Sequence, residues 1–203
     1  MIRTGGRPAS AMRLRQLGVS LVELLVVTAL LALTCAATLV DWPYWLRPQQ
    51  GRQWLLQTQQ ALVQLRLQAM REREDITVCA ASGAAACTAR WQGDWQAFAD
   101  ANLDQRWQPG ERRYPLVPEL PAGWHLHWQS FRRDPVLIWR HAGDAGFSNG
   151  TLTLCPPRPQ DAALMQLVIS RSGRLRMVVP LQLDAAAVQS ARSRCGWGAG
   201  QGE

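Results

Sequence analysis

From Val19 to Val40 the chain runs for 22 residues with one charge, Glu23. As a helix this run measures about 33 Å, enough to cross the hydrocarbon core of a bilayer. Arg3, Arg7, Arg13 and Arg15 precede it, with no acid among the first 18 residues. Asp41 closes it, and Trp42, Tyr44 and Trp45 follow. The basic flank holds its own end in the cytoplasm, and the aromatic rings suit the far interface. The expectation is a transmembrane helix over 19–41, a single pass that sends the rest of the chain to the far side of the membrane.

Glu23 sets this run apart from ordinary apolar segments. A secretory signal peptide has a shorter apolar core and a small-x-small cleavage site. A lipoprotein signal wants an apolar residue three before its Cys and a small one just before it. Cys35 has Ala32 and Thr34 there. A plain signal anchor accounts for everything except Glu23. A carboxylate inside an apolar helix costs about 2.5–3.5 kcal/mol on insertion scales. An unpaired carboxylate there needs a positively charged partner to offset this cost.

The segment Gly18-Val19-Ser20-Leu21-Val22-Glu23, followed by Leu24-Leu25-Val26-Val27, resembles the class III signal of type IV pilins and type II secretion pseudopilins. The resemblance implies a leader over 1–18, cut by a prepilin peptidase after Gly18. It implies methylation of the new amine at Val19, where the family usually has Phe, and use of Glu23 in assembly. The implied partners are other pilins or pseudopilins and an inner-membrane assembly platform, with no cofactor. Loss of the leader also changes the charge. All 22 basic residues are Arg and the formal charge is +7. Without the four leader arginines, 18 Arg face 15 acids and about +3 remains. The basicity is therefore largely a targeting signal.

Beyond the apolar run, Pro43 and Pro48 predict a kink or local break. From Gln53 to Arg73, apolar residues recur at Leu55, Leu62, Leu65 and Ala69, with Leu56, Val63, Leu67 and Met70 widening the stripe. That spacing predicts an amphipathic helix, the periplasmic half (42–75) of one long bent helix. After Asp75, short runs bounded by Gly, Pro and Asp predict strands over 76–80, 124–131, 136–140, 151–155, 164–170 and 174–181. Ser170-Arg171-Ser172-Gly173 reads as a hairpin turn, and Asn149-Gly150-Thr151, formally a sequon, as a turn leading into a strand. The resulting fold class is α+β. A long pilin-type helix packs on an antiparallel β-sheet domain over 76–195, and a Gly-rich tail (196–203) frays.

Cys79, Cys87, Cys155 and Cys195 form an even set beyond the apolar run, without C-x-x-C spacing. Export favours disulfides over metal binding for them. A Cys79–Cys87 bridge would close a short loop, and Cys155 with Cys195 would tie the C-terminus to the sheet. Four cysteines allow three pairings. Ile76-Thr77-Val78-Cys79, Cys87, and Trp91 through Asp100 resemble the Cys…Cys…W-x-x-G-W-x-x-F-x-D region of the GspH/FimT branch, one residue out of step between Gly93 and Trp95. Phe147 through Cys155 and Gly173-Arg174-Leu175-Arg176 resemble later segments of that branch. This implies a place at or near a filament tip.

Catalysis has no foothold in the residues. There is no phosphate loop, nucleophile elbow or H-E-x-x-H. His125 and His127 share a strand face but lack a third ligand, so no metal site is assigned. Trp91, Trp95, Trp107, Trp124, Trp128 and Trp139 read as packing. Arg174 and Arg176 would project from one side of a strand about 7 Å apart, a spacing that suits phosphates of a nucleic-acid strand. Arg171 in the turn, and Arg192 and Arg194 near the tail, would add charge. In FimT-like minor pilins a G-R-x-R segment is associated with DNA capture for natural transformation. The resemblance thus implies sequence-independent DNA as a further partner. The contrasting reading is a single-pass anchored periplasmic protein unrelated to pili.

Overall fold

The computed structural model describes residues 20–82, 86–88, 91, 95–115, 119–179 and 182–197, with no side-chain description for 36–44. Two compact units divide at Pro43. Gly18 and Val19, the expected cleavage and methylation positions, lie outside the described residues.

Helix α1 (Leu21–Glu72) begins immediately after Ser20, whose Oγ accepts a hydrogen bond from the backbone N–H of Glu23 at 3.4 Å. Ser20 is thus an N-cap, and Glu23 stands three residues on, in the Ser-x-x-Glu spacing of a capping box. A carboxylate in this turn also meets the positive end of the helix dipole. Of the kink or local break expected at the prolines, no break is present: helical backbone runs through both Pro43 and Pro48. A helix tolerates the missing donor where the rest of its hydrogen-bond ladder persists. Among the described residues no helix is long and apolar enough to cross a membrane. Positions 36–41 of the expected span have no described side chains.

In the second unit, the remainder of α1 lays Trp54, Leu55, Leu62, Leu65 and Ala69 into the core, each at most 4% exposed. Burying each large apolar side chain contributes roughly 1.5–3 kcal/mol. The stripe is narrower than expected. Leu56, Leu67 and Met70 are 37–48% exposed, since neither sheet reaches round to that flank. Gly51 is needed for a close approach: a Cβ there would lie 2.6 Å from the Trp124 ring.

The strands form two antiparallel sheets. The first has β1 (Ile76–Ser82) at its centre. β3 (Trp95–Ala99) pairs along one edge, and β4 (Arg113–Tyr114) continues from it. β2 (Ala86–Thr88) and β6 (Leu137–Trp139) share the other edge. The second is ordered β5 (His125–Ser130), β7 (Gly150–Cys155), β8 (Met165–Ile169), β9 (Leu175–Val178). One core joins α1 to both sheets through Leu55, Ile76, Val78, Leu126, Leu152 and Leu167. Trp91 meets Trp95 edge-on at 4.7 Å and lies 5.1 Å from Trp128, so these rings are packing.

A second helix, α2 (Ala185–Arg194), is capped by Asp184, which accepts from the Ala187 N–H at 2.7 Å. Disulfides join Cys79 to Cys87 and Cys155 to Cys195, each with Cα atoms 5.5 Å apart. The second bridge holds the end of α2 to β7. Trp197, assigned to the frayed tail by sequence, is buried with Cys155, Leu164, Ala191 and Cys195. Residues 198–203 lie outside the described set.

Where α1 ends, Glu72 accepts from the Tyr114 hydroxyl and pairs with Arg112 at 2.6 Å. The Tyr114 hydrogen bond, and then the Arg112 charge, hold the Glu72 carboxyl below its ordinary range despite some desolvation. A depressed acid contributes stability above its unfolded-state range and loses it as pH falls through the folded-state value. Unfolding free energy is expected to decline on acidification below the ordinary carboxylate range. Glu72→Gln should make that decline shallower, by at most about 1 kcal/mol for so exposed a pair. Urea melts of both proteins as a function of pH check it.

Candidate functional site

Two features present chemistry to the surroundings. In the first unit the described part of the apolar run, residues 20–35, is exposed on every side: Leu21 is 77% exposed, Leu25 61%, Leu30 58% and Leu33 69%. A helix apolar all round is stable only when lipid or other helices cover it. Glu23 is exposed in its first turn.

The second feature is a rim of the β5-β7-β8-β9 sheet. Strand register aligns Ser130 with Gly150, Gly150 with Ile169 and Ile169 with Leu175. Just past this row lie the turn after β5, the short helix before β7, the β8–β9 turn and the start of β9. Three inter-strand steps span about 14 Å. The expected hairpin turn is present: the Gly173 N–H donates to the Ser170 carbonyl at 2.9 Å. Gly173 has φ +78°, and a Cβ there would lie 2.5 Å from the Gly143 carbonyl and 2.8 Å from Nε of Arg66. That same Arg66 Nε donates to the Gly143 carbonyl. Only glycine fits a left-handed residue pressed against a pinned loop.

Arg174 and Arg176 are exposed and line one shallow cavity of about 380 Å³ with Val168 and Ser170. Arg171 does not join them. Its guanidinium lies 4.6 Å from the centre of the Phe147 ring, which Arg132 also covers at 3.8 Å. Cation–π contact of this kind holds an exposed arginine that would otherwise sample many rotamers. Arg132 is a member of the rim that sequence reasoning missed; its adjacency to Phe147 exists only through the β5–β7 pairing. None of the ion pairs among the described residues involves Arg132, Arg171, Arg174 or Arg176.

The tail arginines do not join this rim. Arg192 is held by Asp161, Nε to Oδ1 at 2.8 Å, so its charge is already answered. Arg194 is half-buried in a different cavity, beside His127. His125 and His127 share the outward-alternating face of β5. No group of three or more metal-binding side chains exists among the described residues.

Asp100, the last residue of the Trp91–Asp100 segment, is fully buried. It accepts from the Thr77 hydroxyl at 2.7 Å and from the backbone N–H groups of Asp104 and Gln105. That segment is structural. It shapes a loop and supplies Trp95 and Phe98 to packing.

A family model described as the type II transport protein GspH matches residues 56–173, more than half of the chain. No curated protein matches. A solved structure, the type IV minor pilin FimU of Pseudomonas aeruginosa, aligns at 14% identity and a TM-score of 0.44, covering 72% of this chain and 97% of its own.

Proposed function

Because the chain belongs to the GspH family, we propose that it is a structural, non-catalytic minor pilin or pseudopilin, processed between Gly18 and Val19 and assembled into a filament through α1. The observation that carries this reading is the outward-facing apolar run with Glu23 in its first turn. Such a helix needs lipid before assembly and neighbouring subunits after it. N-methylated Val19 presents a cation, and Glu23 answers it across subunits, fixing axial register. The chain begins in the inner membrane with its folded domain in the periplasm, and a place at or near the tip suits a minor subunit. Prepilin peptidase and the assembly platform are its processing and export partners. Deleting the gene and scoring piliation, exoprotein release and transformation together tests this role. Unchanged values for all three would reject it.

The basic rim supports a second activity, sequence-independent capture of DNA. Arg174 and Arg176 share a cavity without an acid, and Arg132 and Arg171 extend the positive row. Backbone contacts of this kind carry no base readout and weaken with salt. In gel shifts across a salt series, the full chain in detergent should bind duplex of any sequence. The slope of log K against log salt should lose about two units in Arg174→Ala/Arg176→Ala and about one in Arg132→Ala. No binding at low salt, or an unchanged slope in the double variant, would reject DNA capture.

A further inference from the structure

Beside α2 lies a cavity of about 550 Å³ that neither helix assembly nor the basic rim uses. Its walls are His127 and Trp128 from β5, Arg133 and Asp134 from the following turn, and Ser190, Ser193 and Arg194 from α2. Arg133 has φ +62°, which directs the chain differently from Arg132, the residue over Phe147. Adjacent arginines therefore serve separate surfaces.

Arg194 is the anomaly. It is half-buried, yet its guanidinium takes part in none of the ion pairs found among the described residues. Asp134 lines the same cavity without pairing to it. A desolvated guanidinium with no partner is unfavourable, so the fold must hold it in place. It does so on three sides. Cys195, the next residue, is bonded to Cys155. Arg192, two residues before, is fixed to Asp161. Trp197, three residues after, is buried in the small core around that disulfide. His127 faces the same space, and burial first, then the Arg194 charge, holds its imidazole below its ordinary range. Ser193 donates its hydroxyl to the Ser190 carbonyl at 2.8 Å, leaving lone pairs but no proton for a ligand.

We propose that this cavity is an anion site taking one phosphate or carboxylate group, with Arg194 as the principal donor and His127 as the second. A guanidinium presents two parallel N–H groups to such an anion. Arg133 adds charge at the mouth, and Asp134 limits occupancy to groups that reach past it. The proton linkage has a definite sign. A bound anion offsets the Arg194 charge and favours imidazolium, so it raises the His127 pKa. Affinity therefore increases as pH falls through the His127 range.

The test uses the full chain in detergent with ¹³C-labelled histidine, titrated by NMR at matched ionic strength with and without inorganic phosphate. A parallel series uses acetate. Phosphate should raise the His127 midpoint and leave His125 and His141 unmoved. A shift in acetate as well identifies a site open to carboxylates, and a shift in phosphate alone one specific for phosphate. Arg194→Gln should weaken phosphate about tenfold or more. His127→Gln, read by the Trp128 indole signal with sulfate, a tetrahedral oxyanion whose charge stays constant across the window, should still bind but without dependence on pH between 5 and 7, about the range in which histidine titrates. Equal shifts at all three histidines, no shift at His127, or undiminished binding by Arg194→Gln would overturn the proposal. The His127→Gln arm decides the matter should Arg194→Gln fail to fold.

Discussion

Glu23→Ala is expected to insert into the membrane as well as the wild type and to be lost from filaments, by at least about tenfold. The two outcomes have different physical origins. Insertion depends on the apolar run, and removing a carboxylate from it lowers the transfer cost by about 2.5–3.5 kcal/mol. On the proposed assembly, incorporation depends on the pair between Glu23 and a neighbour's methylated amine. Truncating one member of a desolvated pair costs about 2–5 kcal/mol, since the other charge stays buried without its partner. Glu23→Gln separates charge from capping. An amide in the Ser20-x-x-Glu23 box still serves the helix terminus, so a glutamine variant that also fails to assemble assigns the defect to lost charge. Membrane fractionation and sheared-filament immunoblots read both steps. Wild-type incorporation of Glu23→Ala would remove the carboxylate from the assembly mechanism.

The second large effect concerns the disulfides. Cys155–Cys195 closes a loop of sequence separation 40, and Cys79–Cys87 one of 8. Loop-closure entropy puts the first near 4 kcal/mol and the second near 2.5 kcal/mol. Cys155→Ala/Cys195→Ala should therefore be the more damaging pair, lowering unfolding free energy by about 4 kcal/mol in denaturant titrations. It should also release α2 and expose Trp197, visible as a red shift in tryptophan emission from the native state. Cys79→Ala/Cys87→Ala should cost less and leave α2 in place. The reverse order of stabilities would contradict the tether assigned to the longer loop.

How much of this was legible in the sequence depended on whether a pattern repeated. The stripe Leu55, Leu62, Leu65, Ala69 named the core face of α1 correctly because a helix samples its packing partner every turn. Leu56, Leu67 and Met70 fall in the predicted stripe but outside the buried face. Periodicity gives the centre of an apolar face, but only the width of the sheets sets its edge. The strands from β5 to β9 were found within one to three residues. β2, β3 and β4 were missed for different reasons: Ala86–Thr88 and Arg113–Tyr114 are too short to alternate, and β3, buried at all five positions, lacks a polar face. α2 was hidden by a composition of Ala, Ser and Arg with little apolar contrast, and its Asp184 cap was the one local signal.

The candidate sites divide in the same way. Gly173 and the Arg174/Arg176 pair were readable because strand alternation fixes them locally. Arg132 was not, since its place beside Arg171 depends on β5 and β8 flanking β7. Arg192 and Arg194 looked alike as sequence and came apart in space, one answered by Asp161 and the other left in a cavity with His127. Charge counting cannot separate such cases, because the answer lies in which acid the fold brings near.

The most direct measurement is intact-mass and N-terminal analysis of the native protein isolated from membranes and filaments. The expected product is a chain that starts at N-methylated Val19, with both disulfides closed and eighteen residues fewer than the translated sequence. A mature polypeptide that still begins at Met1, or one cut anywhere beyond Glu23, would contradict it.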